Sequence, residues 1–314
     1  MKKKALILAT IISMTNVYSS EIDPFNNRSQ PLKDSLPALN DKANFMMEDA
    51  LTKLNKKDHA CSEKKLYKAL RKKFKNQYTS EFGKWVVDTD ELDKVTTKTS
   101  DSIYQEFKWY QAIIPGLLAK FSDPAGQIMN VGGVHVGTDK FEHFSGSGFN
   151  YFKKYYLKGK SLEDAMNIGY RAETGIMGAT MTGVMSFGDM VANFNGMRFW
   201  NTMLGQHKDV LTQEEVSPYI TCDEDQKWQQ VKEIDFGVFV DSAWDEGINC
   251  SWLRTESLLK KVKERIAEYN ERTGQNLGCP LNREALEAAG EKYKDLPIQI
   301  INYEGHQALN SQED

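Results

Sequence analysis

Two stretches decide the reading of this chain: GVHVGTDKFEHFSGSGFNYF at 133–152 and RAETGIMGATMTGVMSFGDMVANFNGMRFW at 171–200. Their polar fixed points are Asp139, His143, Glu173, Ser186, Asp189 and Asn193, and Gly, Ala, Thr and Met fill much of the space between the last four. A period of 3.6 residues over 139–156 puts Phe141, Phe144, Gly148 and Phe152 on one side of a helix. Asp139, His143, Gly146 and Asn150 fall on the other, where a merely solvated face more often carries Lys or Glu. Asp139 and His143, at i and i+4, project together as metal ligands or an oriented acid–base pair must. Asp139-Lys-Phe-Glu142 also reads as a capping box, which accounts for Asp139 but not for His143.

A second helix over about 162–185 is expected to start at Ser161, with Asp164 completing its cap. No charged residue occurs from Thr174 to Gly188, so Glu173 faces burial. A buried, unpaired carboxylate is costly and must protonate, pair or bind metal. The structural alternative is a satisfied carboxylate bonded to Tyr170, His143, Arg171 or Arg198. Ser186-Phe-Gly-Asp189 matches the S-x-x-[DE] signature of a third helix, running to about Met203, on which Asp189 and Asn193 lie one turn apart. Gly175, Gly178 and Gly183 suit close helix packing rather than an exposed helix. Three consecutive helices can thus turn their few acids and one imidazole into a common bundle core.

Outward from this centre, 20–40 reads as an extended or mobile leader and 41–57 as a short helix. Residues 62–78 form a basic helix carrying Lys64, Lys65, Lys68, Arg71, Lys72, Lys73 and Lys75. It is a solvated face in the plain reading and a contact for anionic lipid or envelope polymer in the sharper one. An amphipathic pattern over 101–121 is interrupted by Pro115, a turn is expected at 123–126, and the glycines of 131–137 suggest a tight loop. Beyond Trp200 a capping box at Thr212, alternation from Ile234 to Val240 and at Ile298 and Ile300, and helices over 251–271 and 282–294 describe a smaller α+β region, frayed from Ala308 on. His59, His207 and His306 lack partner motifs and are assigned to the surface.

With 314 residues, 40% hydrophobic, the chain can bury a substantial core, and its formal charge of −4 argues against a nucleic-acid binder. Residues 1–19 read as a secretory signal: Lys2, Lys3 and Lys4 precede an apolar run too short to span a bilayer, and Val17 and Ser19 suit a cut after Ser19. Cleavage removes those three lysines and takes the charge from −4 to −7. Four cysteines in an exported chain favour disulfides, and of the three connectivities Cys61–Cys222 with Cys250–Cys279 is expected. Thiolate zinc motifs, a P-loop, a dinucleotide fingerprint, H-E-x-x-H and a full G-x-S-x-G elbow are all lacking.

DKFEHF, a Glu before an uncharged run, and SFGDMVANFNG together resemble the D-K-x-x-H-F … E … S-x-x-D-x-x-A-N-x-x-G pattern of the uncharacterised YfiM-like envelope proteins, and more remotely VanZ-like proteins. The matching positions are Asp139, Lys140, His143, Phe144, Glu173, Ser186, Asp189, Asn193 and Gly196, spread over about 137–196. The resemblance implies an envelope location and no settled chemistry. YfiM-like proteins are typically lipoproteins and VanZ-like ones membrane proteins, whereas this chain has no cysteine at its cut and no second long apolar segment.

The expectation is a mainly α protein: signal peptide 1–19, leader 20–40, helical bundle 41–208 and α+β region 209–314. The leading function is a periplasmic or envelope-associated hydrolase of cell-wall glycan or a lipid-linked precursor. Its acid–base or divalent-metal groups are His143, Glu173, Asp139 and Asp189, supported by Ser186, Asn193 and Lys140. The competing reading is a non-enzymatic envelope protein in which the same residues form a buried hydrogen-bond network.

Overall fold

The computed structural model describes residues 21–57, 60–75, 80–113 and 126–311. The expected signal, His59, Pro115 and the turn at 123–126 lie outside the described residues. Among the described residues the protein is mainly helical, with three small antiparallel sheets.

Its centre is the third helix of the sequence reading, here α7 (Phe187–Thr202), in which all 16 residues are buried. Apolar residues occur all round it, which is how a helix enclosed on every side is written. Its polar side chains are bonded rather than exposed. Asn195 donates to the Tyr293 hydroxyl at 2.8 Å, Arg198 reaches Asp209 at 2.9 Å, and Asn201 donates to the His207 carbonyl at 2.8 Å.

The remaining elements wrap this axis. α1 (Leu36–Asn55) starts with Pro37 in its first turn and buries Leu39, Ala43, Met47, Ala50, Leu51 and Leu54 on one stripe. α2 (Glu63–Phe74) and α3 (Glu81–Asp88) follow, and then β1 (Lys94–Thr96), β2 (Gln127–Val131) and β3 (Val134–Gly137). The tight loop expected over 131–137 is instead a hairpin, its two-residue turn made by Gly132 and Gly133, both at positive φ. A helical run then opens as α4 (Lys140–Glu142) and widens to π geometry at His143–Ser147. It returns to α geometry as α5 (Gly148–Phe152) and widens again at Lys153–Leu157.

That run crosses α7 at a pair of glycines. A Cβ on Gly148 would stand 2.5 Å from the Gly196 Cα, and one on Gly196 would stand 1.8 Å from the Phe144 carbonyl oxygen. The resulting contact lets Trp200 Nε1 donate to the Ser145 carbonyl at 2.8 Å and packs the Phe144 and Phe199 rings, tilted, with centroids 4.9 Å apart.

Several boundaries differ from expectation. The leader is not loose over its described part, since Ile22 and Phe25 are buried, and α1 begins at Leu36. The second helix stops early. α6 (Leu162–Thr174) ends before Gly175, a π stretch runs over Ile176–Thr180, and β4 (Val184–Met185) pairs with β7 (Trp252–Leu253). Residues 101–112 form turns, not a regular helix. After α7, β5 (Ile220–Cys222) pairs with β6 (Trp228–Gln230), and Thr212 opens no helix. The alternation at 234–240 folds as a 3-10 turn at Phe236–Val238, because Phe236 and Phe239 both join the aromatic core, and Ile298–Ile300 forms no strand. α8 (Glu256–Thr273) and α9 (Arg283–Tyr293) match the two expected C-terminal helices. Ala308 is buried and bridges to Leu253, so the chain is seated there rather than frayed. His207 is exposed as expected, but His306 is buried against Phe25, and burial lowers its pKa to about 4.

Both expected disulfides form. Cys61–Cys222 closes a separation of 161 residues and Cys250–Cys279 one of 29. Gly196→Ala is expected to lose at least the ~1–3 kcal/mol typical of overpacking, because the obstructing atoms are backbone; urea unfolding against the wild type measures it.

Candidate functional site: a buried lysine and a histidine–carboxylate hollow

The β2–β3 hairpin delivers Asp139 and Lys140 to the start of α4, where Lys140 turns inward and is 0% exposed. Its Nζ meets three carboxylates: Asp139 at 2.7 Å, Asp189 at 2.6 Å and Glu246 at 3.0 Å. Asp189 comes from the first turn of α7. Glu246 follows a 3-10 turn at Ser242–Trp244, so the C-terminal region closes the cluster. Ser186 links two of these acids. Its hydroxyl donates to Glu246 and accepts the Asp189 backbone N–H at 3.0 Å, capping α7 as the sequence implies. The capping box at Asp139 does not form; that carboxylate is engaged by Lys140 instead.

Burial opposes the Lys140 charge, but Asp139, Asp189 and Glu246 outweigh it and hold the ammonium well above its ordinary value. Burial also pushes Asp189 up, yet the His143 and Lys140 charges, with hydrogen bonds from Lys140 and Ser186, bring it below its ordinary value. For Glu246 burial prevails over the pull of Lys140, and Asp189 and Asp139 add to it, so its carboxyl rises to about 7. The cluster is over-supplied with acid. Glu21, half-buried at the start of the described chain, is raised well above its ordinary value by burial and then by Glu246 and Asp189. Glu21 Oε2, Asp139 Oδ1 and Glu246 Oε2 are buried with no hydrogen-bond partner among the described residues.

Beside this cluster a second group forms. The π stretch begins at His143, a geometry that recurs at functional sites. His143 Nε2 lies 3.2 Å from Asp189 Oδ2, and Nδ1 lies 3.2 Å from Asn193 Oδ1, one turn further along α7. Asn193 also donates to the Tyr151 hydroxyl, which donates in turn to the Met166 carbonyl at 3.1 Å. The imidazole is thereby oriented from behind, while its side chain stays 25% exposed. Glu173, in the last turn of α6, completes the group: His143, Glu173 and Asp189 each bring one donor atom within 4.8 Å of the other two. Burial raises Glu173 well above the ordinary range, Asp189 and Glu21 add to this, and Lys140 and the Ser186 N–H oppose it.

The chain matches no protein-family model, no curated protein and no solved structure.

The fold therefore brings His143, Glu173, Asp189, Asn193, Ser186, Lys140 and Asp139 into one region, but in different partnerships from those the spacing suggests. Asp139 serves Lys140 rather than His143, and Asp189 is shared by both groups. Sequence reasoning missed Glu246 and Glu21. The available signal for Glu246 was two adjacent acids, Asp245 and Glu246, within AWDEGINC, a segment otherwise poor in charge. Glu21 carried no signal beyond its place next to the expected cleavage point.

Two outcomes follow from this charge balance. Lys140→Met removes the common counter-ion of three buried acids and is expected to cost about 3–5 kcal/mol, read by chemical denaturation at neutral pH. Folded Glu246 keeps its proton to about 7 against an ordinary 4.5, so its contribution to stability is present below about 4.5 and is lost as pH rises toward 7. Stability profiles of wild type and Glu246→Gln over that window check this. The wild-type decline should flatten in the variant, and identical slopes would refute the assignment.

Proposed function

We propose that the protein is an exported cell-envelope hydrolase. Its His143/Glu173/Asp189 hollow holds a divalent cation and acts on a cell-wall glycan or a lipid-linked precursor. The observation carrying this reading is the convergence of one imidazole and two carboxylates from three different helical segments, with donor atoms within 4.8 Å. Mixed N/O donors of this kind suit a catalytic zinc or a related transition metal. The excess of buried acid over Lys140 also fits an added positive charge nearby, since Glu21 Oε2, Asp139 Oδ1 and Glu246 Oε2, next to the hollow, accept no hydrogen bond among the described residues.

When bound, such a cation supplies Lewis acidity and lowers the pKa of bound water. The protein's own residues do the rest. Asn193 fixes the imidazole, the Ser186 N–H holds Glu173, and the His143 and Lys140 charges hold the shared Asp189 below its ordinary range. Exposure of His143 gives a substrate access to the hollow. If Glu173 and Asp189 instead act as an acid–base pair on a glycan, their spacing falls below the roughly 6.5–9.5 Å that an inverting pair needs. Export is supported by two disulfides, which suit an oxidising compartment, and no helix among the described residues is long and apolar enough to cross a membrane. The YfiM-like resemblance rests on the residues that meet here and is part of the same proposal.

The non-enzymatic reading draws on one specific observation, the complete burial of Lys140 among its acids, which is how a structural network is built. Elemental analysis of purified protein, with titration of Zn²⁺ and Mn²⁺ into chelator-treated protein, separates the two. Stoichiometric binding is expected, with a gain of about 2.7 kcal/mol in stability at a metal concentration one hundred times Kd. His143→Ala and Glu173→Gln should fold and lose that binding. If neither metal binds and both variants are instead strongly destabilised, the network reading takes its place.

A further inference from the structure

The basic helix of the sequence lies far from this chemistry in role, and its geometry is more specific than a solvated face. Between α1 and α2 runs a groove of about 490 Å³ lined by Lys53, Lys57, Lys65, Lys68, Lys72 and Lys73. Lys65, Lys68 and Lys72 recur at i, i+3 and i+7 and so share one side of α2, while Lys53 and Lys57 project from the end of α1. The floor is small and apolar, with Ala50, Leu54 and Ala69. Two acids answer Lys53 and Lys73. Asp49 is shared by Lys53 and Lys73, each at 2.7 Å, and Glu81 pairs with Lys73. Among the described residues no carboxylate forms an ion pair with Lys57, Lys68 or Lys72.

A solvated helix face is convex and mixes its signs. Here cations from two helices line one concavity, in a chain whose net charge is −4. Like charges placed so repel one another, and a cleft lined with one sign concentrates the opposite ion. The donor type narrows the ligand. The cations of the lining are all lysine, a compact point charge that binds phosphate, with none of the arginine forks that match planar carboxylates, and its one acid, Glu81, is taken up by Lys73. The volume is that of a small-molecule site, not of a flat bilayer contact.

We propose that this groove binds a discrete, multiply phosphorylated anion, with Lys57, Lys68 and Lys72 as the principal phosphate contacts. The ammonium groups of Lys53 and Lys73 meet at the same oxygen of Asp49, so they are held together at one point of the groove wall and answered there by Asp49 and Glu81.

The test is isothermal titration of sodium tripolyphosphate into the full protein at low and moderate salt. A control arm measures co-sedimentation with phosphatidylglycerol or phosphatidylcholine vesicles. Saturable one-to-one binding that weakens with salt is expected. Lys57→Gln/Lys68→Gln/Lys72→Gln should weaken it by about tenfold or more. Lys227→Gln/Lys260→Gln/Lys263→Gln makes the same change of net charge on other faces and should leave binding near wild type. Thermal unfolding of both variants should match the parent, because the substituted side chains are exposed. Vesicle pelleting that tripolyphosphate reverses supports the groove and makes a lipid headgroup its source, and tripolyphosphate binding without pelleting supports it with a soluble source. Absence of tripolyphosphate binding, equal losses in the two variants, or pelleting that tripolyphosphate does not reverse overturns the proposal. Each of these results stands whether or not the histidine–carboxylate hollow binds metal.

Discussion

Burying a primary ammonium completely is the constraint on which the rest of the structure depends. Lys140 has no water to solvate it, so the fold must bring carboxylates to it, and it does so from three separate parts of the chain. Asp139 arrives as its neighbour, Asp189 through the capped start of α7, and Glu246 from the far side of the 3-10 turn after Val240. Each acid is costly when buried alone, and each is tolerable because the other charge is present. Ser186 has two tasks in this arrangement, since the hydroxyl that caps the central helix also fixes Glu246.

The same arrangement sets the character of the neighbouring hollow. Asp189 answers Lys140 with one oxygen and His143 with the other. The imidazole therefore has a fixed carboxylate partner on one nitrogen and a fixed amide on the other. Among the described residues no cation forms an ion pair with Glu173, and its environment favours the protonated form. Asp189 is held below its ordinary range and Glu173 well above it, so two neighbouring carboxyls diverge in proton affinity. The glycine crossing at Gly148 and Gly196 matters here too, because it determines how closely the helix bearing His143 approaches the helix bearing Asp189 and Asn193.

Much of this was legible in the sequence, and the reasons for success and failure are specific. Ser186 and Asp189 announced α7 because a cap is a local signal, complete within four residues. Glu173 announced its burial because no charge follows it until Asp189. The early end of α6 was not legible: Gly175 permits the break, but the pairing of Val184–Met185 with Trp252–Leu253 that exploits it is a contact across nearly seventy residues. The alternation at 234–240 misled for a similar reason, since Phe236 and Phe239 are drawn into an aromatic core assembled by distant residues. Glu246 offered only a pair of adjacent acids, and nothing within its own segment reveals that Lys140 awaits it.

The position of Glu246 has a consequence for how the protein can be divided. The change in character after Lys208 looks like a seam, yet the chain beyond it supplies an acid to Lys140, the acceptor for the Ser186 hydroxyl, and the Tyr293 hydroxyl that receives Asn195. A fragment ended at that seam would strip the central helix of its cover on one side and leave the buried ammonium an anion short. The two portions thus share one charge cluster and one set of buried hydrogen bonds, so the seam in the sequence is not a seam in the packing.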